Sequence, residues 1–399
     1  MLRPYVDLLS TPGGLRFSAA AFVARLPIAM WGLGIVLLVE GQTGRYAVAG
    51  AVSATFALVN ALAAPLIARF VDRLGQRTVL VPCVALHVVL LVVFIWAVSA
   101  GTPTWTWFAS AAGSAVFAPS VGSLVRARWG YVLGPGRTLQ TAYSYESVID
   151  ELIFVVGPLL VTVLATQITT QAGLLTAAAL VSIGTAALVL HRVSEPPPAP
   201  AHEHGGRSAL LTAGMPVLCI VMFFVGGVFG SVEISAVAFA DGHGRAGLAG
   251  PLLACYAGGS MISGILFGAV HWQIPLPRRV LLGAAVMTTT VSVLPLIDTF
   301  AVLAPFLFVA GVGIAPTLIS GMSLAERLVP PGKLTEGLTW ATTGLIVGFS
   351  LATSLAGRIV DAEGASTAFL VALGSGSLAV VVCATGYRHL HAHARPVGV

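Results

Sequence analysis

Apolar runs of about 20 residues or more recur along the 399 residues, and nothing else in the sequence limits folding as severely. A helix rises about 1.5 Å per residue, so about 20 residues cross a hydrocarbon core about 30 Å thick. No water is present there to satisfy backbone N–H and C=O groups, so each run has to close its own hydrogen bonds as a helix. The runs fall near 17–39, 47–68, 78–100, 104–126, 139–165 and 169–191, then near 211–239, 248–270, 280–297, 300–324, 338–360 and 365–387. Only 9% of residues are charged and 57% are hydrophobic, whereas a soluble chain carries about 25% charge. The fold class predicted is therefore an all-α membrane protein of twelve transmembrane helices. Frequent Gly, Ala, Ser and Pro in the runs fit this solvent, where small residues let helices approach closely and neighbours satisfy freed backbone groups.

The runs divide six and six. Residues 1–191 form an N-terminal half, 192–208 a linker beginning RVSEPPPAPAHEHGGR, and 209–399 a C-terminal half with a short tail. Gly44, Arg45, Ala49 and Gly50 recur at the same place in the second half as Gly244, Arg245, Ala249 and Gly250, which reads as duplication. With the N-terminus inside, most of the 20 basic residues lie on the cytoplasmic side, Arg45, Arg245 and Arg358 lie outside, and Arg25 lies within a span. The positive-inside rule then places both termini in the cytoplasm. This asymmetry accounts for the net charge of +5, so no nucleic-acid partner is implied. The run at 15–39 is too long for a cleavable leader and is expected to stay. Cys83, Cys219, Cys255 and Cys383 lie in spans without metal or redox spacing and read as small buried residues.

The loop after the second run reads Ala68-Arg-Phe-Val-Asp72-Arg73-Leu-Gly75-Gln76-Arg77. It resembles the G-x-x-x-D-R-x-G-R-[RK] signature of the major facilitator superfamily, in the loop where that family carries it. Asp72, Arg73, Gly75 and Arg77 match; Ala68 replaces the first Gly, and Gln76 replaces the first residue of the closing basic pair. Together with the two parallel six-helix repeats, the resemblance covers the whole chain and implies the major facilitator fold. It also implies a latch in which Asp72 meets the start of the eleventh helix near 335–338, where exposed N–H groups favour an anion, with Arg126 or Arg128 completing the charge cluster. The bland alternative is a set of anchoring charges at a membrane edge. Gly157-Pro158 resembles the core of the Gly-Pro motif in the fifth helix of the family's exporters, and Pro158 is expected to bend its helix. The arginine-over-lysine bias points to a high-GC bacterial source.

Ionisable groups deep in a span are costly unless paired or watered, which makes them candidates for function. Arg25 in the first span and Glu146, Asp150 and Glu151 in the fifth are the set for proton coupling. Glu146 and Asp150 share a helix face, Glu151 is rotated by about 100°, and Arg25 lies at a depth that lets it pair with Glu146 or Asp150. A purely structural ion-pair network is the competing reading. Glu233 in the seventh span is a candidate for the substrate cavity. His87 reads as packing, while His202, His204, His389, His391 and His393 read as solvated linker and tail. GxxxG spacings at Gly226/Gly230, Gly264/Gly268 and Gly344/Gly348 read as close helix contacts.

These features predict a secondary active transporter that moves a small molecule across the cytoplasmic membrane by alternating access, with efflux against protons as the leading form. It needs no cofactor or metal, and it works as a monomer in the bilayer. Proton-linked uptake of a sugar or metabolite and a non-transporting receptor on the same fold remain alternatives. An enzyme is disfavoured, since the sequence carries no HExxH, GxSxG, Walker loop or GxGD.

Overall fold

The structure, a computed structural model, describes residues 3–44, 46–198, 208–245, 248–270 and 272–394. Arg45, His202, His204 and Arg207 therefore lie outside the described residues. Among the described residues there is no strand, and 12 helices are long and apolar enough to cross a membrane. In order they are Gly14–Thr43, Val48–Leu74, Gln76–Ser99, Thr104–Leu133, Thr138–Ala165 and Ala172–Leu190, followed by Met215–Ala240, Ala249–Ala269, Leu276–Leu296, Phe300–Leu328, Pro331–Val360 and Ala365–Thr385.

Several spans outrun the apolar runs that announce them. The first begins at Gly14, the fourth continues to Leu133 and the eleventh begins at Pro331. A helix does not stop where hydropathy falls; polar ends extend into the interfacial region, and in the fourth span the extension carries Arg126 and Arg128 into buried positions.

Among the described residues, three spans divide into two α-helical segments. The first runs as Gly14–Arg25, a 3-10 turn Leu26–Ala29 and Trp31–Thr43, broken where Pro27 lacks an N–H and crowds the preceding turn. The fourth is Thr104–Val116 and then Val121–Leu133, with Pro119 between, and Asn60 Nδ2 donates to the freed carbonyls of Ala115 and Ala118 at 3.1 and 3.3 Å. The tenth is Phe300–Gly311 and Ile314–Leu328. Pro158, by contrast, sits inside a helix that runs unbroken from Arg137 to Gln167.

The chain forms two compact units. One comprises Val6–Gly134 and Ile149–Gly206; its apolar core includes Trp31, Ile35, Phe56, Leu91, Phe94 and Trp107. His87 packs in that core, its ring 4.9 Å from Trp31 and its Nδ1 3.0 Å from the Ser114 carbonyl. Outward, Leu58, Leu62, Leu66 and Phe70 recur at helical spacing as an exposed apolar stripe on the second span, suited to lipid. The other unit comprises Met1–Tyr5, Pro135–Val148 and Arg207–Val399. There Gly226 and Gly230 of the seventh span lie against the Leu345 and Phe349 carbonyls of the eleventh, while Gly344 and Gly348 lie against those of Cys219 and Phe223. The two GxxxG pairs thus face one another, which permits backbone-to-backbone packing.

Candidate functional site

In the N-terminal unit, one carboxylate holds two arginines. Arg25 Nη1 donates to Asp150 Oδ1 at 2.9 Å, and Arg126 Nη2 donates to Asp150 Oδ2 at 2.6 Å. The guanidinium side chains are 2% and 8% exposed, while Asp150 is 36% exposed. Each arginine also donates to its own helix, Arg25 Nε to the Ala21 carbonyl and Arg126 Nη1 to the Gly122 carbonyl. Such charge-assisted bonds are the strong class, and burial makes a break costly.

Helix interruptions lie beside both arginines. Arg25 is the last residue before the 3-10 turn of the first span, and Arg126 lies in the first turns of the second segment of the fourth. On the fifth span, Gly157 lies against the same 3-10 turn: a Cβ there would come 2.7 Å from Ala29 Cβ and 3.3 Å from the Leu26 carbonyl. The fifth span therefore touches the interruption through Gly157 and reaches Arg25 through Asp150, two contacts that only a small residue and an acid supply together.

The other predicted residues differ in exposure. Glu146 is fully buried but falls in the segment Pro135–Val148 that packs with the C-terminal unit, and Glu151 is half-buried one position past Asp150. Glu233 is exposed on the seventh span between the buried Ser231 and Ser235. In the motif loop, Asp72 and Arg73 are half-buried and Arg77 is exposed. Gly75 separates the second and third spans at φ 89°, a left-handed conformation that favours glycine. Of the two arginines expected near the motif loop, Arg126 donates to Asp150 and Arg128 donates to Gln76 of that loop. Nothing in the sequence pattern pairs Gln76 with Arg128, yet Arg128 Nε donates to Gln76 Oε1 at 2.7 Å.

Among the described residues no three His, Cys, Asp or Glu side chains gather as a metal site; in the tail, the His389 and His393 rings lie 4.5 Å apart at a tilt of 52°. An open groove of about 440 Å³ lined by Leu9–Gly13, Leu15, Arg16, His191 and Val193 shares no residue with the Asp150 cluster.

The sequence matches the family model described as Major Facilitator Superfamily over residues 17–275. No curated protein matches it. Similar solved structures include a bacterial homologue of the iron transporter ferroportin in an outward-facing state, 18% identical with a TM-score of 0.74, covering 94% of this chain and 99% of that one. The human organic anion transporter MFSD10 is 15% identical with a TM-score of 0.70, covering 92% and 99%. The fucose:proton symporter of E. coli is 12% identical with a TM-score of 0.68, covering 92% and 97%. At these identities the likeness is one of fold.

Proposed function

The chain belongs to the major facilitator superfamily, and from that premise we propose that it is a monomeric secondary active transporter exporting a small molecule in exchange for protons. The observation that carries the reading is the sharing of Asp150 between Arg25 and Arg126. Protonating Asp150 would remove the charge that holds both guanidiniums, and each arginine belongs to an interrupted span that can shift as a segment. Proton binding would thereby bias one arrangement of helices over another, which is all that coupling requires. Glu146 and Glu151, on the same helix, are the neighbouring acids through which a proton would reach or leave Asp150. The exposed Glu233 is assigned to the substrate cavity. Export rather than uptake is supported by the Gly157-Pro158 resemblance.

The test begins with a thermal-stabilisation screen of the purified protein to obtain a ligand, followed by flux in proteoliposomes with a pH dye inside. Substrate and proton should move in opposite directions. Asp150→Asn should retain substrate exchange and lose its dependence on the pH gradient; normal coupling in this variant would remove Asp150 from the mechanism. Proton movement in the same direction as substrate would convert the reading to uptake.

Asp72, Arg73, Gly75 and Arg77 are assigned to a conformational latch. Since a latch acts on an equilibrium and not on the cavity, Asp72→Asn should slow turnover roughly fivefold or more while ligand affinity changes little. Equal flux in the variant would leave Asp72 as a membrane-edge charge.

We place both termini and the linker in the cytoplasm on the arginine distribution. A reporter fused after Arg207 should be active only in its cytoplasmic form.

A further inference from the structure

Gln76 marks a departure from the family signature, and its side chain is 2% exposed. Its Oε1 accepts from Arg128 Nε at 2.7 Å, and its Nε2 donates to the Leu124 carbonyl at 3.2 Å. Arg128 is fully buried, and its Nη1 donates to the His191 carbonyl and to Ser194 Oγ, both at 2.9 Å. His191 and the buried Ser194 belong to the chain leaving the sixth span. Four residues therefore tie together the start of the third span, the inner part of the fourth and the exit of the sixth.

A second set of contacts reaches the same loop. Glu195 Oε1 accepts the backbone N–H of Arg77 at 2.8 Å across a sequence separation of 118 residues. That N–H lies in the first turn of the third span, where helical donors have no intrahelical acceptor, and Gly75 offers no side-chain cap. A carboxylate there acts as a cap and also meets the positive end of the helix dipole. Pro198 lies over Gly75, its Cγ 3.4 Å from where a Cβ would stand.

We infer that residues 194–198 form a strap which positions the Asp72–Arg77 loop, that Glu195 is its positioning residue, and that Gln76 and Arg128 form the hub on which it closes. An arginine at position 76, as the signature has it, offers no acceptor to Arg128 Nε and sets a second guanidinium beside a buried one. Glutamine at 76 and arginine at 128 are thus a matched pair. Because the strap is also the first part of the linker, the linker enters the motif loop mechanically at this point. The effect on transport rests on the latch reading of that loop; the strap itself does not.

Hydrogen–deuterium exchange of the full chain in detergent tests it without substrate. Losing a hydrogen bond to a charged acceptor in Glu195→Ala should speed exchange of amides 75–79 by about tenfold or more, with the seventh to twelfth spans unchanged. Glu195→Gln, which keeps an acceptor, should restore part of the protection. Gln76→Arg should lower the unfolding temperature, and adding Arg128→Gln should recover most of the loss because donor and acceptor are exchanged. Unchanged exchange over 75–79 in Glu195→Ala, acceleration spread evenly over all helices, or a double variant no more stable than Gln76→Arg would overturn the strap. Failure here leaves proton coupling at Asp150 standing, and failure of coupling leaves the strap standing.

Discussion

Asp150→Ala is expected to destabilise the protein by about 3–5 kcal/mol, more than either Arg25→Ala or Arg126→Ala. The asymmetry follows from the geometry, because one carboxylate serves two guanidiniums that are almost fully buried. Removing the acid takes one charged hydrogen-bond partner from both arginines at once, and breaking a buried ion pair from one side is among the costlier single changes. Removing one arginine leaves Asp150 bonded to the other. Asp150 is also 36% exposed, so water can take the carboxylate oxygen that is freed. Asp150→Asn should fall between, since the amide oxygen still accepts one bond without the charge. The check is thermal unfolding in detergent followed by tryptophan fluorescence, with Arg25→Ala added to Asp150→Ala as a cycle. The double variant should lose less than the sum, by about 0.5 kcal/mol or more, because the two residues share one interaction. Equal losses in the three single variants, with strict additivity, would mean that the shared carboxylate carries no special weight.

Part of this arrangement is legible in the sequence. Run length gives the spans, because only a helix satisfies its backbone in hydrocarbon, and depth along the helix brings Arg25 level with the acids of the fifth span. Hydropathy reads the first span as starting at 17, which sets Arg25 level with Glu146 and leaves both acids open to it. The span starts at Gly14, which sets Arg25 about 16 Å along its helix and Asp150 about 18 Å along the fifth. The bond of Arg126 to Asp150 is hidden by a related effect: the fourth apolar run fades at Arg126, so it reads as a latch or anchoring charge at the inner end of its span, although the helix continues to Leu133. Pro27 and Pro119 are visible in the sequence, yet Pro158 is equally visible and leaves its helix unbroken; interruption depends on whether neighbours such as Asn60 donate to the carbonyls at the break. The pairing of Gln76 with Arg128, and of Glu195 with the Arg77 N–H, lies beyond periodicity altogether, since it depends on where three separate helices end.

In the C-terminal unit, Gly348→Ala is expected to cost about 1–3 kcal/mol or more, reversing the sign that helix propensity alone would give. Alanine normally stabilises a helix interior by about 1 kcal/mol relative to glycine. At Gly348, however, an added Cβ would fall onto the Phe223 carbonyl oxygen, and at Gly226 onto that of Leu345. Gly344 repeats the contact at 2.6 Å from the Cys219 carbonyl. These obstacles are backbone atoms, so no side chain can rotate away and the seventh and eleventh spans must separate. Separation forfeits van der Waals contact along the seam, and in a bilayer no hydrophobic driving force between helices replaces it. Gly357 supplies the internal control: it lies on the same helix, Leu334–Glu363, with nothing within 4 Å of its added Cβ. Gly357→Ala should therefore be neutral or stabilising, while Gly348→Ala lowers the unfolding temperature and the yield of monodisperse protein. Combining Gly226→Ala with Gly348→Ala should cost less than the two together, since the first methyl has already parted the helices that the second would meet. Were Gly348→Ala as stable as Gly357→Ala, the seam would not be the close contact on which this unit depends.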